Sequence, residues 1–179
     1  MSINLQAPIV IRREIDIFAP PNLVWDWISR VDLWPDWHPE VSSSRWLGNP
    51  GLNGRFKWRK SLLGVPSIVT RWREALEFAW SGTAWGITSH QVFLLDGDYK
   101  STRIICEQSV EGFGARVLTP VVRHLAERWS EMWLGALKTR IEQAHERGAR
   151  RPGQGPRRPR ILDPSASHMV DRVRGRGRW

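Results

Sequence analysis

Cysteine is nearly absent from this chain, since Cys106 is the only one among 179 residues. A single cysteine excludes an intramolecular disulfide and any zinc site built on cysteine ligands. No apolar run reaches the length of about eighteen residues that a transmembrane helix needs. The N-terminal segment also lacks the features of a secretory signal peptide, so we expect a mature start and a reducing, cytoplasmic location.

Recognised catalytic and phosphate-binding motifs are missing as well. The sequence contains no glycine-rich phosphate loop, no G-x-S-x-G turn, no H-E-x-x-H pair and no EF-hand. Its five histidines are scattered, at positions 38, 90, 124, 145 and 168. We therefore expect no metal and no cofactor. We expect Cys106, which has no obvious base beside it in the sequence, to be a buried and inert thiol.

Positive charge is concentrated at one end of the chain. The sequence has 27 Lys and Arg against 18 Asp and Glu, a net charge of +9. Residues 1–146 carry only +1 of this charge, whereas residues 147–179 carry +8. We predict a nearly neutral domain over residues 1–147 and a disordered basic tail over residues 148–179, which is rich in Arg, Gly and Pro. The neutral domain argues against nucleic-acid binding by the folded part.

Tryptophan is unusually frequent: there are 12, and 11 of them lie within the first 133 residues. Each ring can bury roughly 150–250 Å² of surface, which is more than one small core needs at this density. The length of the chain predicts a single domain. The surplus of rings predicts a cavity lined by aromatic side chains within that domain.

The first forty residues predict one strand and two short helical segments. Residues 9–18 place four isoleucines on one parity, a period of two that is typical of a strand. Prolines at 20 and 21 end this strand, and apolar residues at helical spacing predict a helix over residues 20–31. Two further prolines restrict residues 32–39 to a single helical turn or a loop.

The rest of the domain predicts an antiparallel sheet and a long helix. Turn signals recur about every ten residues, and they predict strands near residues 42–47, 54–61, 65–73, 75–82, 86–95 and 102–111. After these strands we predict one long amphipathic helix over residues 116–146. Its apolar stripe consists of Leu118, Val121, Val122, Leu125, Trp129, Met132, Trp133, Ala136, Leu137 and Ile141. The predicted class is α+β, a curved antiparallel sheet wrapped on the C-terminal helix with a cavity between them.

Several segments carry a family resemblance, in this order: IDIFAPPNLVWDWISRVDLWPDWHPEV, GLNGRFKW, LEFAWSGTAWG, SHQVFLL and EQSVEG. The first combines a strand that ends in Ala-Pro, a Val-Trp helix and a Trp-Pro-x-Trp motif. Together these segments resemble the SRPBCC superfamily (START-like, polyketide cyclase/dehydrase and lipid transport), and among its members the small stand-alone bacterial proteins. The resemblance covers roughly residues 9–145. It implies a helix-grip fold with a deep apolar pocket and with the short helices at its mouth.

Strand parity and this fold predict which side chains line the pocket. Regular alternation places the first two strand rings, Phe56 and Trp58, on the inward face of one strand, and Phe78 and Trp80 on that of another. Two further tryptophans lie at the expected mouth of the pocket and two on the long helix. The aromatic candidates for ligand contact are Trp34, Trp37, Phe56, Trp58, Phe78, Trp80, Trp129 and Trp133. Core packing predicts the same orientation for all of them, so both interpretations stay open.

Polar candidates for the pocket are few. His90 shares its parity with apolar residues, and it is either a core histidine or a ligand anchor and general acid/base. Glu107 either faces solvent beside Arg103 or enters the cavity, where it could pair with His90. Arg71 is the third catalytic candidate. Polyketide cyclases of the family often use tyrosine, but the sole tyrosine, Tyr99, falls in a predicted hairpin outside the pocket.

Three functional hypotheses come from these observations. The first is binding of a hydrophobic, lipid- or polyketide-like small molecule in a Trp-lined cavity, with His90 as one polar anchor. The second is a polyketide cyclase or dehydratase that uses acid/base residues of the pocket. The third is contact of the basic tail with nucleic acid or an anionic membrane, against a simple solvated extension. The sequence identifies neither the ligand nor the oligomeric state.

Overall fold

The computed structural model describes residues 3–149, with side chains for residues 3–147. Nearly all of the tail predicted over residues 148–179 lies outside this range. Strands, helices and one 3-10 helix follow each other in the order expected for an α+β protein. They are β1 (Ile9–Ile17), α1 (Pro21–Ser29), a 3-10 helix (Val31–Asp36), β2 (Val41–Trp46), β3 (Arg55–Lys60), β4 (Leu63–Arg73), β5 (Glu77–Ala84), β6 (Ile87–Gly97), β7 (Thr102–Gly112), α2 (Phe113–Val117) and α3 (Thr119–Ala149).

The strands form one curved, seven-stranded antiparallel sheet. Their order across the sheet is β1-β7-β6-β5-β4-β3-β2, so β2 to β7 form a meander and β1 pairs with the last strand. The α+β prediction is confirmed, and each predicted strand is present within a few residues of its expected position. Helix α3 packs across the concave face of the sheet.

The long C-terminal helix begins later than the sequence predicts. In place of one helix over residues 116–146, the short α2 is separated from α3 by a break at Leu118. Pro120 lacks the N–H that would continue the helical hydrogen bonds, and so favours a helix start just before it. The Thr119 hydroxyl donates to the carbonyl of Ala115 at 2.7 Å, which satisfies a carbonyl that the break leaves free.

The apolar stripe of α3 is buried along only part of its length. Its C-terminal part, with Trp133, Leu137 and Ile141, is packed against the concave face. Leu118, Val121 and Leu125, by contrast, are exposed, although the amphipathic pattern predicts their burial. Within the described residues, no helix combines the length and apolar character needed to cross a membrane.

The convex face of the sheet is also partly covered. Ile3, in the segment before β1, packs against Ala79 of β5 and Val92 of β6. Val10 and Leu94 complete this small cluster. Strand β6 is therefore apolar on both faces, and its inward face cannot be identified from hydrophobicity alone.

Candidate ligand-binding cavity

One end of the space between the sheet and α3 is filled by rings, which we call the aromatic cluster: Trp25, Trp34, Trp37, Phe56, Phe78, Phe93 and Trp133. Trp34 lies near its centre, with its ring centroid 4.8 Å from that of Trp133 and 5.4 Å from that of Phe56. The indole N–H of Trp34 donates to the carbonyl of Ile28 at 2.9 Å. This bond joins the 3-10 helix to the end of α1, so Trp34 has a structural role.

The other end of this space holds a cavity of about 240 Å³. It lies between the inward faces of β3 to β7 and the first turns of α3. Trp85 and Leu125 line it and are largely exposed, which places the opening beside the β5–β6 turn. The lining residues are Trp58, Lys60, Leu63, Val65, Trp80, Gly82, Ala84, Trp85, Ile87, Ser89, Gln91, Gln108, Val110, Val122, Leu125, Ala126 and Trp129.

Two glutamines form the polar part of the cavity wall. Gln91 of β6 and Gln108 of β7 lie directly opposite each other in the sheet. The amide nitrogen of Gln108 donates to the Ser89 hydroxyl at 2.9 Å, and its carbonyl oxygen accepts from the Ser130 hydroxyl at 3.1 Å. Gln108 therefore connects the sheet to α3 while facing the cavity.

Gln91 has one group available to a ligand. Its amide nitrogen donates to the sulfur of Cys106 at 2.7 Å. Its carbonyl oxygen has no hydrogen-bond partner among residues 3–147, although the residue is buried. Because a polar atom without a partner is unfavourable in an apolar cavity, this oxygen favours a ligand with an O–H or N–H donor. The sequence signal for both glutamines is an amide at an inward strand position, which parity alone does not distinguish from a solvent-facing one.

Stacked indoles form the wall next to α3. The rings of Trp58 and Trp129 lie 5.3 Å apart and nearly parallel, at 18°. The Trp58 indole N–H donates to the Ser67 hydroxyl at 3.2 Å, which fixes the orientation of this ring. Trp80 also faces the cavity and contacts the aromatic cluster through Phe78, at 5.3 Å between centroids. These three rings are the aromatic candidates from the sequence that line the cavity, and their contact with ligand stays a prediction.

The other aromatic candidates lie outside the cavity lining. Phe56, Phe78 and Trp133 are completely buried in the aromatic cluster, as is Trp34. Trp37 packs edge-on against Trp133 at 5.0 Å. Parity placed the strand rings correctly on the inward face, but it could not distinguish the filled end of the space from the open end.

Lys60 brings a charge to the cavity wall. Its ammonium group forms an ion pair with Glu40 and lies 4.4 Å from the centroid of Trp129. His38 is next to this pair and only 1% exposed. Its Nδ1 accepts a hydrogen bond from the backbone N–H of Glu40 at 3.2 Å. Burial lowers the pKa of His38 from 6.5 to about 4, so the ring is neutral at physiological pH. Its Nε2 has no hydrogen-bond partner among the described residues.

The three catalytic candidates from the sequence lie on the convex face, away from the cavity. His90 contacts Glu111 at 3.2 Å between Nε2 and Oε1. Glu107 is paired with Arg12 at 3.3 Å, so it does not pair with His90 inside a pocket. Arg71 is half exposed and 4.0 Å from Glu77.

The expectation that His90 anchors a ligand in the cavity therefore does not fit the structure. Its neighbours of the same parity, Val92 and Leu94, are covered by the N-terminal segment and not by α3. The apolar row that suggested an inward position belongs to a second, smaller core. The register places Gln91, its neighbour in sequence, at the inward position.

Cys106 is buried on the concave face, as predicted. Burial raises the pKa of its thiol to about 12, with the neighbouring polar groups of Ser130 and Gln91 opposing this shift. The thiol is therefore protonated at physiological pH. Since the thiolate is the nucleophilic form, this environment makes Cys106 unreactive.

The sequence also matches a known protein family. The profile of the family "Polyketide cyclase / dehydrase and lipid transport" matches residues 8–142. The chain belongs to this family. The match includes every strand of the sheet and most of α3, and therefore all the cavity-lining elements of this polyketide cyclase/dehydrase family member.

Solved structures share the fold at low sequence identity. A START superfamily protein from Mycobacterium smegmatis is similar with a TM-score of 0.65 and 18% identity, over 75% of this chain and 98% of its own. The Zhui aromatase/cyclase from a Streptomyces species is similar with a TM-score of 0.68 and 15% identity, over 75% of this chain and 93% of its own. Among curated proteins, none matches the chain.

Proposed function

We propose that the protein binds a small hydrophobic molecule in the cavity between β3–β7 and α3. The observation that carries this proposal is an apolar cavity with one convergent polar site, the free carbonyl oxygen of Gln91. Apolar walls with a few placed polar groups are the usual composition of small-molecule sites. Family membership supports the same function, since the family includes lipid transport proteins.

The volume of the cavity limits the ligand. At about 240 Å³ it is smaller than the sites of roughly 300–1,000 Å³ that enclose drug-sized molecules. A ligand of one or two rings would be enclosed, whereas a longer chain would place one end in the cavity and the rest across the opening. The Gln91 oxygen favours a hydroxyl or amide N–H at the enclosed end.

Titration calorimetry with naphthol and methylnaphthalene tests this assignment. The two probes have nearly the same shape, but only naphthol can donate to Gln91. We expect both to bind, and naphthol to bind about fivefold more tightly, as one hydrogen bond contributes about 1 kcal/mol. Gln91→Leu should remove the preference for naphthol. The control Gln143→Leu changes a glutamine on the exposed side of α3 and should retain it.

Absence of binding by either probe, or a preference that survives in Gln91→Leu, would contradict the proposal. Native mass spectrometry of protein isolated from its own host complements this test. A discrete bound adduct would identify the chemical class of the natural ligand. Subsequent incubation of the protein with that compound distinguishes a carrier from an enzyme, because only an enzyme converts it.

A cyclase or dehydratase is the second candidate, favoured by the Lys60–Glu40 ion pair at the cavity wall. In that function, Lys60, which lines the cavity, would stabilise the negative charge on the oxygen of a bound ketone as its α-proton passes to water at the cavity opening. Lys60→Met should then abolish turnover of a ketone ligand while it still binds. If turnover persists in Lys60→Met, Lys60 is not the catalytic group, and if no ketone is converted by the unmodified protein, it is a carrier.

A further inference from the structure

Large apolar side chains surround the opening of the cavity and are exposed to solvent. Leu62 at the β3–β4 turn is 91% exposed, Trp85 at the β5–β6 turn 84%, and Phe113 at the start of α2 81%. Similar residues continue along α2 and the first turns of α3. We call this set the rim: Leu62, Trp85, Phe113, Val117, Leu118, Val121 and Leu125.

The rim is continuous with the cavity. Trp85 and Leu125 line both, and Leu62 precedes the lining residue Leu63. Helix α2 packs beside the β5–β6 turn, since a Cβ on Gly114 would lie 3.1 Å from the side chain of Ile87. These elements together encircle the opening, so whatever covers the rim also covers the mouth of the cavity.

The backbone at Trp85 gives no structural reason for a tryptophan. Trp85 and Gly86 are the two central residues of a tight hairpin turn, with φ of 51° and 71°. Positive φ at both positions defines a type I′ turn, for which Asn-Gly is favoured and a bulky side chain is strained. Because the ring is almost fully exposed, packing within the domain does not compensate for this strain.

Charge is distributed unevenly around the rim. Residues 57–65, 82–89 and 113–128, which carry it, contain six Arg and Lys and one acidic residue, Glu127. Two more acidic residues lie at this end, since Glu40 is paired with Lys60 and Glu111 lies opposite Thr88. The rim end therefore has six basic and three acidic residues, against twelve and thirteen in the remainder of residues 3–147. The charge of the domain is therefore polarised. An anionic surface would attract the domain in the orientation in which the rim faces that surface.

We propose that the rim docks on an anionic lipid surface, with Leu62, Trp85 and Phe113 inserted at the level of the lipid headgroups. Separate turn tips that project from three elements suit a deformable bilayer better than the flat face of a protein. Tryptophan is the side chain that the membrane–water interface favours, and nearby basic residues bind anionic lipids. Docking would place the mouth of the cavity against the bilayer, so an apolar ligand could enter without crossing water.

This inference goes beyond ligand binding, and its test requires no ligand. Full-length protein is sedimented with vesicles of phosphatidylcholine alone or mixed with phosphatidylglycerol. Trp85→Asn creates the favoured Asn-Gly turn, so the fold is retained while the anchor is lost. We expect its affinity for mixed vesicles to fall about tenfold, the effect of losing one large buried side chain. Tyr99→Asn is the control, because Tyr99 is 77% exposed at the opposite end of the sheet.

A second experiment reports the orientation of the docked protein. An environment-sensitive fluorophore is attached to Leu62→Cys or to Tyr99→Cys, while the buried Cys106 stays unlabelled. Addition of mixed vesicles should shift the emission to the blue for the label at position 62 only. Equal shifts at both positions, or no shift at either, would overturn the proposal.

The charge component is tested with a matched pair of variants. Arg116 lies on α2 beside the rim residue Val117, and Arg116→Gln should weaken binding to mixed vesicles about fivefold while binding to neutral vesicles is unaffected. Lys100→Gln removes the same charge at the far end and should have no such effect. Both variants retain residues 148–179, so any contribution of the basic tail to vesicle binding is the same in both. The protein could instead self-associate in the absence of vesicles. If it does, and if Trp85→Asn abolishes this association, the rim binds a second copy of the chain and the lipid assignment is overturned.

Discussion

The two ends of the space beneath α3 are built on the same sheet and the same helix, yet one is solid and the other hollow. The difference lies in the size of successive inward residues. Along β5 these residues change from Phe78 and Trp80 to Gly82 and Ala84. Helix α3 shows the same change: Trp133 lies at the filled end, whereas Ala126 lies at the end that holds the cavity. A graded loss of side-chain volume along neighbouring elements therefore creates the cavity without any change in topology.

Truncation of one ring at each end should separate their contributions to stability. Trp133→Ala removes a fully buried ring from the aromatic cluster, so we expect a loss of about 3–5 kcal/mol in the free energy of unfolding. Trp129→Ala acts on a partly exposed cavity wall and should cost less than half as much. Urea denaturation of both variants provides the measurement. Equal losses would show that the two ends do not differ in packing.

His38 lies at the boundary of the two ends, against Trp133 and Trp129. Its pKa of about 4 in the folded protein is below its unfolded value of 6.5, so the unfolded chain binds more protons between these values. Stability should therefore be complete above pH 6.5 and fall as the pH decreases toward 4, by about 2–3 kcal/mol in total.

Denaturation curves between pH 7 and 4 measure this effect against His38→Gln, which retains a hydrogen-bond acceptor for the Glu40 N–H. The variant should lose the part of the pH dependence that belongs to His38. An unchanged slope in His38→Gln would mean that other groups cause the loss of stability.

Filling the hollow end should remove binding but preserve the fold. Ala126→Phe places a ring in the cavity from α3, so we expect naphthol affinity to decrease at least about tenfold, equivalent to 1.4 kcal/mol. Gly135→Phe is the matched control, because nothing lies within 4 Å of a Cβ at that exposed position of the same helix. Calorimetry with both variants should give near-normal affinity for the control alone.

The small residues of the hollow end also have local packing reasons. A Cβ on Gly82 would lie 2.7 Å from the Ser67 hydroxyl oxygen and 2.8 Å from Cγ1 of Val65. Gly82→Ala should therefore destabilise the protein by about 1 kcal/mol, the lower end of the range for overpacking. Thermal denaturation is sufficient to detect this change, and an increase in stability would contradict the contacts described.

Sequence periodicity predicted the sheet, the helices and the inward rings, because each depends on a regular local pattern. It missed the break at Leu118, which results from the position of one proline in the first turn of α3. It also placed His90 at the wrong face for a cavity residue, because the N-terminal segment makes the convex side of β6 apolar. Such information depends on contacts between distant segments and cannot be obtained from periodicity.

The free acceptor of the cavity illustrates the same limit. Gln91 and Gln108 are separated by sixteen residues of chain but face each other in adjacent strands, and only the strand register shows this. The role of the basic tail over residues 148–179 stays a prediction, since almost all of it lies outside the described residues.

The pairing of β1 with β7 has a consequence for how the chain folds. Ile9 pairs with Val110, so β1 must wait for β7, the last strand of the sheet in chain order, before its hydrogen bonds can form. The meander from β2 to β7 consists of local hairpins and can form earlier. Because contacts between distant parts of a chain slow folding, closure by β1 and α3 should be the late step. Until then the isoleucines of β1 remain exposed, and a chaperone that binds extended apolar segments would find its target there.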